Sequence, residues 1–162
     1  MKTPLFTGVC TALVTPFLDN KINYPMLQVL LQRQIDSGIE AVVLAGTTGE
    51  SATLSDEEKL SIFHHAKAFA GDKIKIIAGT GSNNTEHAIQ LSAAVQEIGV
   101  DGLLIVSPYY NKATADGLVA HYTAIAENTN LPIILYNVPT RTGLDIPVDV
   151  YRQLSCHPNI LG

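Results

Sequence analysis

Side chains able to bind oxygen and move protons gather in four short stretches, each directly after an apolar run. They are Gly46-Thr47-Thr48-Gly49-Glu50-Ser51, Gly79-Thr80-Gly81-Ser82-Asn83-Asn84, Pro108-Tyr109-Tyr110-Asn111 and Tyr136-Asn137-Val138-Pro139-Thr140-Arg141-Thr142-Gly143. In the first, glycines let backbone amides and two hydroxyls turn toward a small anion such as a carboxylate. It lacks the lysine of a phosphate-binding P-loop, and a plain turn whose threonines cap the next helix remains open. The second stretch has Asn84 where a dinucleotide fingerprint needs its last glycine, so it reads as a tight turn and helix cap. The last two bring three phenols and the Arg141 guanidinium to strand ends, which points to hydrogen bonding and proton transfer on an oxygen-rich substrate. A phenol with the ordinary pKa of about 10 needs a relay to move protons near neutral pH, and Thr47 with two tyrosines could supply one. Taken singly, a loop tyrosine is a rim aromatic and Arg141 a surface ion pair. The coincidence of all four stretches favours a site.

The histidines give no comparable pattern. His64 and His65 are adjacent on a helix and face different ways, while His87, His121 and His157 lie within or beside helices. Surface or packing roles are expected for all five, and no metal. Cys10 and Cys156 have no paired spacing, so both read as reduced and structural.

Short apolar runs must position the four stretches: Val9 to Val14, Ala41 to Leu44, Ile74 to Ala78, Gly102 to Val106, Pro132 to Tyr136, and the start of a sixth at Ile160. Their starts recur roughly every 30 residues, the length of one strand-plus-helix unit. Between them, Leu27, Leu30, Leu31 and Ile35 form a helical stripe closing at Ser37-Gly38. Ser55 and Glu58 form a capping box for a helix through Ala70, ended by Gly71. Asn83 with Glu86 opens the next helix toward Gly99, Ala115 to Asn128 forms a fourth, and Asp145-Ile146-Pro147 starts a shorter fifth.

The 162 residues are 46% hydrophobic and 15% charged, enough to bury a core in one compact domain. A net charge of -5 repels a phosphate backbone, which argues against nucleic acid as a partner. The apolar stretch after Met1-Lys2-Thr3-Pro4 is broken at Thr15-Pro16, too short for a membrane span, so a soluble cytoplasmic protein is expected. Strands this apolar are buried on both faces, the mark of a parallel sheet and the α/β class. An open doubly wound sheet fits the length, whereas an eight-stranded (β/α) barrel typically needs roughly 250 residues. However, Ile160-Leu161-Gly162 stop inside what reads as a sixth strand. A bare apolar strand edge invites aggregation, so the expectation is the first part of a longer barrel: residues 1–162 as the N-terminal part of a single domain, with about five βα units.

On the motifs Gly46-Thr47-Thr48-Gly49-Glu50-Ser51, Ser107-Pro108-Tyr109-Tyr110-Asn111, Tyr136-Asn137-Val138-Pro139 and Arg141-Thr142-Gly143, the chain resembles the dihydrodipicolinate synthase/N-acetylneuraminate lyase family of class I aldolases over essentially its whole length. The resemblance implies a (β/α)8 barrel that condenses pyruvate with aspartate semialdehyde on the route to diaminopimelate and lysine, without a cofactor. It implies that a lysine on the sixth strand forms a Schiff base with pyruvate and activates its methyl carbon as an enamine. By motif match, Thr48 and neighbouring amides would hold the pyruvate carboxylate. Tyr136 would transfer protons beside the imine, and Thr47 would link it to Tyr110, contributed across a dimer interface in a homodimer or homotetramer. Arg141 would bind the semialdehyde carboxylate and steady the relay.

Two departures qualify the match. The family's lysine falls just beyond Gly162, and Lys59, Lys67, Lys73, Lys75 and Lys112 lie on helices or away from strand ends. These 162 residues alone are therefore expected to be inactive, with half the barrel wall missing. Lysine-inhibited relatives bind lysine at the dimer interface. Ser51, Ala52, Asn83 and Tyr109 match that set, but Asp56 and Lys59 replace histidines and His87 replaces a glutamate. Weak or absent lysine inhibition is expected. Two other readings stand beside this one: a different pyruvate-dependent aldolase (N-acetylneuraminate lyase or a 2-keto-3-deoxy sugar acid aldolase), and a non-catalytic half-barrel that binds a carboxylate or a partner chain.

Overall fold

The five long apolar runs form one parallel sheet, and its strand order settles the architecture. The computed structural model describes residues 2–162. Strands β1 (Cys10–Ala12), β4 (Ala41–Leu44), β5 (Lys75–Gly79), β6 (Gly102–Val106) and β7 (Ile133–Tyr136) lie side by side in chain order, every pair parallel. A doubly wound sheet reverses its strand order at a switch point, and none occurs here. Helices α1 (Tyr24–Asp36), α2 (Asp56–Ala70), α3 (Thr85–Ile98) and α4 (Ala115–Glu127) follow β1, β4, β5 and β6. The result is a curled half-barrel of (β/α) units.

Side-chain alternation explains why both strand faces are apolar. Val42, Leu44, Ile76, Ala78, Leu103, Ile105 and Ile133 join Leu27, Leu31, Phe63, Leu91 and Ile125 in the main core, between sheet and helices. The alternate positions Ala41, Val43 and Ile77 pack with Leu104 and Ile134 in a second, smaller cluster on the other face. Two layers from period-two strands are what barrel geometry demands. The segment Asn159–Gly162 continues the sheet: Ile133 N–H donates to the Asn159 carbonyl (2.7 Å) and Leu135 N–H to the Gly162 carbonyl (2.7 Å). Lys2 holds this segment from outside, its ammonium donating to the Ser155 and Ile160 carbonyls at 2.7 Å each and to that of His157.

Local signals are mostly read as expected. The Ser55–Glu58 capping box forms in both directions (3.2 and 2.8 Å). The cap of α3 is Asn84 rather than Asn83, because Ser82 Oγ accepts the Asn84 N–H and leaves the Asn84 side chain facing the His87 amide. Pro147 caps the helix α6 (Val148–Leu154) from outside rather than sitting in its first turn. Two elements carry too little sequence to show periodicity. One is the hairpin β2 (Phe17–Leu18) and β3 (Lys21–Ile22), turned at Asp19 and Asn20, which both have positive φ. The other is the four-residue helix α5 (Pro139–Thr142). Among the described residues, no helix is long and apolar enough to cross a membrane.

Candidate active site

At the C-terminal ends of β4, β5, β6 and β7 lies a cavity of about 310 Å³. Its floor is made of residues too small to fill it: Ala45, Gly46, Gly79 and Gly81. The two glycines of the 79–84 stretch do more than turn the chain. A Cβ at Gly79 would collide with the Ala45 carbonyl, and one at Gly81 with the Val106 backbone. Their spacing of two along an extended segment, which puts both on one face, was the signal that could have shown this. Leu104, Val106 and Val138 make the apolar wall, and Thr47, Ser51, Tyr109, Tyr136, Arg141 and Thr142 supply the polar groups.

The 46–51 turn is held by its own backbone. Ala45 adopts a left-handed conformation (φ 48°) that redirects the chain as β4 ends. Gly49 N–H and Ser51 N–H then donate to the Gly46 carbonyl (3.1 and 3.2 Å), and Glu50 N–H donates to that of Thr47 (3.0 Å). Among the described residues, this leaves the N–H groups of Thr47 and Thr48 without a backbone acceptor. From behind, the buried Thr15 hydroxyl donates to the Gly49 carbonyl (2.7 Å) and braces the turn. The capping alternative is set aside, because Ser55 caps α2.

The expected site residues divide by position. Thr47, Tyr136 and Arg141 line the cavity. Thr48 is exposed at its edge, and its side chain is not part of the lining. Tyr110 stands 93% exposed on a left-handed backbone (φ 71°) that turns it outward, while Tyr109 faces the cavity. No hydrogen bond joins Thr47, Tyr110 and Tyr136 among the described residues. Arg141 comes from α5, which also places Thr142. Ser51, Tyr109 and Thr142, from the same polar stretches, and Ala52, from the lysine-binding match, also line the cavity, although the motif match gives them no part in pyruvate or semialdehyde chemistry. No lysine lines it.

Beside the cavity is a second polar group. His87 Nε2 meets Asp56 Oδ2 at 2.6 Å and its Nδ1 meets Ser82 Oγ at 3.2 Å, while Lys59 stands 3.5 Å from Asp56. Partial burial pushes the Asp56 carboxyl up, but hydrogen bonding and charge from His87 and Lys59 outweigh it and hold the carboxyl below its ordinary value. Further back, His121 Nδ1 meets Thr85 Oγ1 at 2.9 Å, and burial pushes the imidazole down to about 4. His121 Nε2 and the Ser107 and Tyr122 hydroxyls are buried without partners. Burial raises the Tyr122 phenol well above its ordinary value, with Tyr151 adding to the rise. Among the described residues, no three His, Cys, Asp or Glu side chains converge as a metal-ligand set.

Comparison with known proteins agrees with the fold. The sequence model of the dihydrodipicolinate synthetase family matches residues 5–162. The 4-hydroxy-tetrahydrodipicolinate synthase of Acetivibrio thermocellus is 44% identical over 161 residues, 99% of this chain and 55% of its own. Among solved structures, the chloride-inhibited dihydrodipicolinate synthase of Acinetobacter baumannii complexed with pyruvate superposes with a TM-score of 0.92 at 46% identity, covering 94% of this chain and 53% of that one. The enzyme of Cyanidioschyzon merolae with lysine bound gives 0.93 at 41% identity, covering 98% and 55%. The chain thus spans about half the length of the curated relatives it matches. With the family pattern extending through all five strands and their terminal loops, the chain belongs to the dihydrodipicolinate synthetase family.

Proposed function

We propose that this chain supplies the pyruvate pocket of an enzyme that condenses pyruvate with L-aspartate 4-semialdehyde to give 4-hydroxy-tetrahydrodipicolinate, in diaminopimelate and lysine biosynthesis. The observation that carries the reading is that Thr47, Tyr136 and Arg141, distant in sequence, line one cavity beside two unengaged amides. A lysine amine, on the sixth strand beyond Gly162, adds to the pyruvate carbonyl and releases water to form the imine. Loss of a methyl proton gives the enamine, whose carbon attacks the aldehyde. Thr48 and the amides of the 47–48 turn hold the pyruvate carboxylate. Tyr136 passes protons at the imine, and Arg141 receives the carboxylate of the semialdehyde.

Tyr110 completes the relay through Thr47 from a second copy of the chain, which makes the working form a homodimer or homotetramer. Its outward pose supports this, because a phenol 93% exposed reaches nothing in its own cavity. The setting is the cytoplasm. Binding of free lysine beside the cavity is weak or absent. Asp56 and His87 are already bonded to each other, and an incoming ammonium would meet the Lys59 ammonium. Tight binding of lysine in calorimetry of the full-length protein would contradict this.

The 162 residues alone form no imine, since no lysine among the described residues lines the cavity. Incubation with pyruvate and borohydride followed by intact-mass measurement is expected to give the unmodified mass, and a trapped adduct would overturn the point. For the full-length enzyme, a coupled assay is expected to show condensation of aspartate semialdehyde. Cleavage of N-acetylneuraminate without that condensation would reverse the assignment.

A further inference from the structure

Helix α5 is too short to hold itself, since four residues make a single turn whose hydrogen bonds do not offset the cost of nucleation. Its position must be set from outside, and Asn137, just before it, provides the attachment. Asn137 Nδ2 donates to Asp145 Oδ1 at 2.7 Å, and Asn137 Oδ1 accepts the Ile146 N–H at 3.3 Å. One amide thus straps the end of β7 to the segment that leads into α6. At the other end of α5, the buried Thr142 hydroxyl meets the Leu144 carbonyl at 2.9 Å and that of Val138 at 3.3 Å. Between these two attachments lies Arg141, which lines the cavity and forms no ion pair among the described residues.

We propose that Asn137 is a positioning residue for Arg141: by bridging Asp145 and Ile146 it fixes where the guanidinium stands at the cavity, so that carboxylate affinity depends on a side chain that touches no carboxylate of the ligand. This rests on the reading that Arg141 receives the semialdehyde carboxylate. A strap of this kind substitutes for contacts the guanidinium lacks. A cation held by its own ion pair would be masked from a ligand, whereas one held through its backbone stays available.

The test uses the full-length enzyme, with affinities for succinic semialdehyde and for pyruvate read by NMR titration. Arg141→Ala is expected to weaken the semialdehyde about tenfold while leaving pyruvate within about twofold. Asn137→Asp sets two carboxylates against each other and is expected to match that loss, about tenfold, again with pyruvate unchanged. Asp145→Asn keeps an acceptor for the Asn137 amide and is expected to stay within about twofold of the parent. The double variant N137D/D145N exchanges donor and acceptor and is expected to recover the parent affinity, which a general loss of structure would not do. Asp145→Ala removes the acceptor without adding charge, and decides the matter if N137D does not fold; it too is expected to lose the semialdehyde selectively. If Arg141→Ala weakens the semialdehyde while N137D and D145A do not, the strap is not the positioning device. If Arg141→Ala itself changes nothing, the role given to Arg141 fails and this proposal falls with it.

Discussion

Two polar groups near the C-terminal ends of the strands follow opposite rules. Around the cavity, Thr47, Tyr136 and Arg141 stand on a floor of small residues, and the 47–48 amides have no backbone acceptor. In the neighbouring group, Asp56, His87, Ser82 and Lys59 satisfy one another. Unengaged polar groups beside empty volume are available to a ligand. Groups already bonded to each other would have to give up those bonds to bind one, so their chemistry goes into joining α2 to α3.

The largest expected effect comes from His121, buried behind the self-satisfied group with its Nε2 unpartnered. An imidazole whose folded pKa is held at about 4 stays neutral while the unfolded chain takes up a proton below its ordinary value of 6.5. Stability is therefore unaffected above that value and falls as pH drops through this window, by up to about 3 kcal/mol at its lower end. Urea denaturation across the range should show the loss, and His121→Gln should remove that slope. On the cavity side, Gly79→Ala drives a methyl into the Ala45 carbonyl and is expected to cost about 2 kcal/mol in urea midpoint experiments, with pyruvate affinity falling as the floor shifts. A smaller effect is expected from Ala45→Gly, which relieves a left-handed alanine and should stabilise the fold by about 1 kcal/mol, read by thermal unfolding. Smallest, Asp56→Asn removes a half-exposed carboxylate from His87 and Lys59. It should cost under about 1 kcal/mol in the same unfolding assay and leave pyruvate titrations unchanged. A loss of pyruvate affinity in Asp56→Asn would erase the distinction between the two groups.

Much of this organisation was legible before any coordinates. Apolar runs of the right length, the Ser55–Glu58 box and the polar stretches after each strand are local signals, and local signals survive folding when the surrounding structure agrees with them. Asn83 and Asn84 show the limit. Either could cap α3, and the Ser82 hydroxyl, through its bond to the Asn84 amide, decides between them. The hairpin at Asp19–Asn20 and the single turn of α5 were missed because neither is long enough for a period to appear. The floor glycines show in the sequence only as a turn, since their packing role is defined by what lies across from them.

The sequence by itself determined the α/β class, the strand positions and the residue types at the strand ends, because all three follow from spacing along the chain. Length alone fits a doubly wound sheet, but the apolar strand at 160–162 and the family motifs point to the barrel, and the strand order bears that out. What the sequence left open is which threonines and tyrosines face inward and which charged groups are already spent on each other, decided by the left-handed turns at Ala45 and Tyr110 and by the approach of α3 to α2. The physical reason is that direction and pairing depend on neighbours brought close only by folding, so no local pattern encodes them.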